Sequence, residues 1–255
     1  RRYLLFHPIQ KARGAAECDR ACTLMHNIMA AKAYETDTFA ETAVRQIGNP
    51  VRLEGTAHVN MSQAVKFLHN YFNDHADMPE IPDGKMVKDD SRNAFVQGFG
   101  KVKAIKFSDY RQAFKGCALP NVKIFLEQAD AFKAFNDKSP MTSDQESNAD
   151  FMLNIAEIFA TVVYGQLIFE KAGIEGIEDQ VIDQMFSYLV RDINAYVMRQ
   201  LNEYAGHFEA NQKEGLWAII RDPRIDFALE DALIRDYVLA LDGVYRSTYG
   251  VVVNE

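Results

Sequence analysis

The segment Arg52-Leu53-Glu54-Gly55-Thr56-Ala57-His58-Val59-Asn60 holds the most chemically suggestive order of side chains in the 255-residue sequence. A carboxylate stands directly before a glycine, a hydroxyl follows, and an amphipathic pattern begins at once. This order can present a general base on a rigid turn at a helix N-terminus. Gly55 removes side-chain bulk, so a substrate or cofactor can come close to the backbone. Thr56 can cap the helix or bond a ligand. The free N–H groups of a first helical turn can polarise an oxygen. Simple helix capping by Glu54 or Thr56 is the competing reading, and residue chemistry alone leaves both open.

Other candidate constellations are weaker. The six histidines form no HExxH pair and no Glu-x-x-His pair, so no metal site is expected. Glu54/His58 and Glu203/His207 are four apart, the spacing of surface pairs on a helix. Cys18 and Cys22 also stand one helical turn apart, where core packing is expected rather than zinc. Gly98-Phe99-Gly100-Lys101-Val102-Lys103 has a faint look of a phosphate cradle but lacks a third glycine, and a plain turn is expected.

The elements that must position these residues are helices. Ala15 to Ile47 is alanine-rich and free of proline. Val59, Met61, Val65, Leu68 and Phe72 keep three-to-four spacing, leaving Asn60, Gln63, Lys66 and Asn70 on the outer face. Val122–Phe132 follows Pro120, which suits a first turn. Phe151–Leu167 is announced by the capping-box pattern Ser143-Asp144-Gln145-Glu146 and is expected to stop near Gly173. Val181–Val197 is of similar length, and two shorter helices are expected around Leu216–Ile220 and Phe227–Leu241. Asn73–Gly100 reads as a long loop crossing between helix layers, and Asn136–Glu146 as a polar connector. Lys103–Phe107 is the best, and short, strand candidate. The expected fold is an all-α helical bundle of six or seven helices followed by a second helical region. The expected boundaries are 1–75 for the bundle, 76–118 for the connection and 119–255 for the additional helices.

Composition narrows the function classes. The chain has 36 acidic and 28 basic residues, a net charge of −8, which opposes general binding to nucleic acid or anionic membranes. Three cysteines suggest no disulfide framework and fit a reducing, cytoplasmic setting. No apolar run approaches the ~20 residues of a membrane span. The chain begins without methionine inside an apolar pattern, and it is expected to be a piece of something longer or a chain whose front has been removed.

Glu54-Gly55-Thr56, placed between one helix and the closing helix of a bundle, resembles the Glu-Gly-Thr signature of the acyl-CoA dehydrogenases. Lys32-Ala33-Tyr34-Glu35 and Val44-Arg45-Gln46-Ile47-Gly48 look like the helix leading to that signature. Leu53–Asn60 with Lys66-Phe67-Leu68 is similar to a bacterial branch carrying an extra helical C-terminal region. Gly98-Phe99-Gly100-Lys101-Val102, Leu119-Pro120-Asn121-Val122 and Val163-Tyr164-Gly165-Gln166-Leu167 look like parts of that region.

The resemblance implies a flavin reaction on FAD. Glu54 is implied as the base that abstracts the α-proton of an acyl-CoA thioester, with the flavin N5 taking the β-hydrogen as hydride to leave a trans-2-enoyl-CoA. The Glu54 backbone N–H and a flavin hydroxyl are implied to hold the thioester oxygen. Burial beside apolar substrate raises such a base toward the operating pH. Thr56 is implied to touch the adenosine end of FAD, Gly55 to admit it, and Gln46 to contact a neighbouring subunit's flavin. Gln46 and Glu54 are eight residues apart, a shorter interval than the family's. The family's N-terminal helical domain and β-domain have no counterpart here. The missing N-terminal part or a second subunit is therefore expected to complete the site, in a homo- or hetero-oligomer, with electron-transfer flavoprotein as acceptor. The competing expectation is a non-catalytic helical scaffold or assembly subunit.

Overall fold

The computed structural model describes residues 3–36, 38–53, 55–77 and 102–241. The chain divides into two compact units, one of residues 1–14 and 55–223 and one of residues 15–54 and 224–255. Among the described residues the protein is all-α. The strand expected at Lys103–Phe107 reduces to an isolated bridge between His75 and Phe107.

The first unit is built on three long helices: α5 (Pro120–Lys138), α7 (Ala149–Glu175) and α8 (Asp179–Glu203). Each of α5 and α7 packs on α8. Pro120 sits in the first turn of α5, where its missing N–H costs nothing. Short α6 (Ser143–Ser147) starts from a capping box in which the Thr142 hydroxyl accepts from the Gln145 N–H. The cap is thus one residue earlier than the sequence pattern suggests. Asn148 then caps α7 by accepting from the N–H groups of Asp150 and Phe151. α7 runs past Gly173 and stops at Gly176.

The core is aromatic. Phe125, Phe132, Phe159 and Phe186 are fully buried, and Phe125 meets Phe186 edge to face with centroids 5.0 Å apart. Each such ring contributes roughly 1.5–3 kcal/mol of burial. Gly165 makes this packing possible, because a Cβ there would lie 2.2 Å from Phe125 Cζ. Helix α7 is long and apolar enough to span a membrane by length and composition, and 67% of its most apolar window is buried inside the fold.

Helices α3 (Ala57–Ala64) and α4 (Leu68–Asn73) are joined by a tighter turn over Val65–Phe67. This segment differs from the simple amphipathic pattern. Asn60 and Asn70, expected outside, are buried, and Val59 is half exposed. Both asparagines tie down backbone: Asn70 Nδ2 donates to the carbonyls of Val102 (3.2 Å) and Ile105 (2.8 Å). Helix α9 (Ala210–Trp217) completes the unit.

The Ala15–Ile47 run is interrupted. Helix α1 (Tyr3–Met29), whose first part with Pro8 belongs to the first unit and whose remainder belongs to the second, gives way to a tight turn over Ala30–Tyr34, and α2 (Phe39–Arg52) restarts after Thr38. Thr38 causes the restart: its hydroxyl caps α2 through the Glu41 N–H and donates to the Glu35 carbonyl. Cys18 is exposed and Cys22 half buried, so the expected core packing of this pair does not occur. Helix α10 (Phe227–Leu233) continues into a wider turn over Ile234–Val238.

Candidate functional site

Gly55 opens the turn into α3 with φ +94°, in the left-handed region that glycine enters without steric cost. Its carbonyl is held from two sides. Lys11 Nζ donates to it, and Asn60 Nδ2 donates to it at 2.9 Å and to the Thr56 carbonyl at 3.0 Å. The turn is thereby fixed by a side chain buried one turn further along α3. Thr56 is the N-cap residue by backbone conformation, yet its hydroxyl makes no capping bond, and the residue is exposed. Helix capping therefore does not account for this hydroxyl. Glu54 lies outside the described residues, as does the Gly98–Lys101 segment. Gln46 lies on α2 in the second unit and is exposed.

Directly behind the start of α3 lies a cleft of about 320 Å³, wholly within the first unit. Helix α3 contributes Ala57, His58 and Met61. Helix α7 contributes one stripe at helical spacing: Asp150, Leu153, Asn154 and Glu157. Helix α8 closes the third side with Arg199 and Glu203, together with Tyr204 just past its end. The sequence pattern gave no sign of this cleft, since its residues come from three separate helices.

The charges in the cleft are unequally satisfied. Glu203 accepts from Asn154 Nδ2 at 3.0 Å and from Arg199 Nε at 3.2 and 3.3 Å, and the Asn154 bond foremost, with Arg199 behind it, holds its carboxyl below the usual range. The Glu203/His207 pair suggested by spacing is thus replaced by Glu203/Arg199. Glu157 is three-quarters covered, and its closest cation is Arg13, 3.6 Å away. Burial pushes the Glu157 carboxyl up, and Arg13, Arg199 and His58 offset this in part. Arg13 itself is buried, with Asp192 at 3.2 Å and the Tyr196 hydroxyl at 2.5 Å. Among the described residues no group of His, Cys, Asp and Glu side chains could hold a metal ion.

The cleft does not suit a flavin nucleotide. At the turn, the Thr56 hydroxyl makes no capping bond, while the Gly55 carbonyl is already engaged by Lys11 and Asn60. In the cleft, the three carboxylates Asp150, Glu157 and Glu203 would face the nucleotide's phosphates. No protein-family model, curated protein or solved structure matches the chain.

Proposed function

We propose that this chain is the C-terminal portion of an FAD-dependent acyl-CoA dehydrogenase, with Glu54 as the base that removes the substrate's α-proton. The observation that carries the reading is the Gly55 turn: a left-handed glycine clamped by Lys11 and Asn60, followed by an exposed hydroxyl with no structural duty. A turn held this firmly suits Gly55 and Thr56 to positioning a ligand with little displacement.

Thr56 and Gly55 would hold the adenosine side of FAD, and Gln46 would contact a flavin of a neighbouring subunit. When bound, FAD supplies the acceptor for the β-hydrogen, which leaves as hydride. The chain's own part is acid–base chemistry. Glu54 takes the α-proton onto its carboxylate, the Cα–H electron pair becomes the new α,β double bond, and the Glu54 backbone N–H polarises the thioester oxygen. The N-terminal part of the same polypeptide or a second subunit completes the site, electron-transfer flavoprotein takes the electrons onward, and the setting is cytoplasmic.

The test is made on the completed assembly with an acyl-CoA. The wild type is expected to be yellow and to reduce an electron acceptor. Glu54→Gln is expected to keep its flavin and lose on the order of 10²–10⁴ in rate. Reduction by the variant at the wild-type rate overturns the assignment.

A non-catalytic assembly role is favoured by a separate observation. Ile28, Tyr34 and Phe39 are 85%, 74% and 74% exposed, large apolar side chains available to another chain. That reading gains if the assembly forms and binds no flavin.

A further inference from the structure

Two cysteines of the second unit have no part in the fold or in the flavin reading. Cys18 and Cys22 lie on α1, the first exposed and the second half buried, and both are free thiols. Their spacing of four puts them on one face of the helix, one turn apart. His26 follows after another four residues and continues the same stripe. Its Nε2 is shielded from water and has no hydrogen-bond partner, and its ring stands edge-on to Tyr34 with centroids 5.0 Å apart. The stripe therefore carries two sulfur donors and a nitrogen donor. The fold uses neither thiol in a disulfide or in the core, and it leaves the nitrogen unpaired.

Helix geometry decides what such a pair of thiols can do. Cβ atoms four residues apart on a helix lie about 5–6 Å from each other. A disulfide needs them about 3.5–4.5 Å apart, so these thiols cannot join directly while α1 stays helical. An ion between two thiolates has a looser requirement. Two metal–sulfur bonds of about 2.3 Å let the sulfurs stand roughly 4–5 Å apart. The ion must also accept a low number of ligands. Zinc sites and iron–sulfur clusters take four. Among the described residues no group of three or more His, Cys, Asp and Glu side chains is arranged for a metal, so a pair is all that α1 offers. Copper(I) is the soft, thiolate-seeking ion that such a pair suits.

We propose that Cys18 and Cys22 clamp one copper(I) ion on the face of α1, flanked by the His26 imidazole. Each thiol gives its proton to solvent, and each sulfur donates an electron pair to the ion. Copper stays monovalent, so no oxidant or reductant takes part. The site draws on none of Gln46, Glu54 and Thr56, and it stands or falls apart from the flavin reading.

The test is an anaerobic titration of the full, reduced chain against copper(I) held by the coloured chelator bicinchoninate, with native mass spectrometry of the product. The wild type is expected to withdraw one copper(I) per chain and to stay a species of one chain and one ion. Cys18→Ser and Cys22→Ser are each expected to lose this withdrawal at an unchanged circular dichroism spectrum, since neither thiol belongs to the core. Cys117→Ala, in the first unit, is expected to keep it. The proposal is overturned if the wild type withdraws no copper, or if Cys18→Ser or Cys22→Ser still withdraws a full equivalent. It is equally overturned if the ion is found only between two chains, or if folded Cys117→Ala loses it.

Discussion

The two units use helices of similar quality to opposite effect. The first buries an interlocking set of aromatic rings, and most of its buried polar groups are matched. Asp183 accepts from the Asn121 backbone and side chain at 2.7 and 2.9 Å. Gln145 and Gln212 bond each other, and Tyr71 donates to Gln166 at 2.6 Å. The second unit, among its described residues, buries only Ala33 and Ala40. Its large apolar side chains face outward. Helical propensity and capping form a helix, but burial decides whether it has a fixed place. The first unit owns its core; among the described residues of the second unit, Ile28, Tyr34 and Phe39 are mostly exposed.

The comparison is broken most severely by cutting into each unit in the same way. Phe125→Ala is expected to cost about 3–5 kcal/mol in chemical denaturation of the full chain, since it empties a fully buried site. Phe39→Ala in the second unit is expected to stay within roughly 0.5 kcal/mol, because its ring is already in water. Equal losses would show that the second unit has a core after all. A smaller effect is expected from Asp183→Ala, about 1–3 kcal/mol by the same measurement, as two buried donors of Asn121 lose their acceptor.

Not every buried polar group of the first unit is matched, and this sharpens the contrast. Gln200 is fully buried on α8, and neither end of its amide has a hydrogen-bond partner. Gln200→Met is therefore expected to raise stability by about 1 kcal/mol, read as a higher denaturation midpoint at unchanged slope. A loss would mean that the amide is satisfied in solution.

The smallest effect concerns pH. Burial raises the Glu157 carboxyl above its unfolded value, so the folded chain holds that proton more tightly. The stability this provides is complete below the ordinary carboxylate range and declines as pH rises through it toward the raised folded value. Glu157→Gln removes the decline. Relative to wild type, its melting temperature is expected to improve between about pH 4 and pH 7. A change in the other direction would make Arg13, rather than burial, the dominant influence.

The long helices were legible from spacing alone, because α5, α7 and α8 each bury a continuous apolar stripe and the period survives in the sequence. Pro120 marked a start for a local reason that needs no tertiary structure, whereas the capping box falls one residue before the Ser143–Glu146 pattern and opens a separate short helix. What escaped was set by tertiary contact. Asn60 and Asn70 sit at positions that a helical wheel assigns to solvent, yet Asn70 finds acceptors in the distant Val102 and Ile105 carbonyls, and Asn60 turns back onto the Gly55 and Thr56 carbonyls at the start of its own helix. Thr38 breaks an alanine-rich run whose propensity favours continuation. At the candidate site, Gly55 and Thr56 stood out because a glycine between acid and hydroxyl is a local signal. The cleft did not, since Asp150, Glu157, His58 and Arg199 converge only after three helices pack.

The most direct test of Glu54 as the base follows the α-hydrogen itself. The completed assembly is incubated in D₂O with an acyl-CoA, and deuterium at the α-carbon of recovered substrate is read by mass spectrometry. Wild type is expected to exchange that hydrogen, and Glu54→Gln to exchange it on the order of 10²-fold more slowly or worse while retaining flavin. Exchange in the variant at the wild-type rate would contradict the assignment of the proton to Glu54.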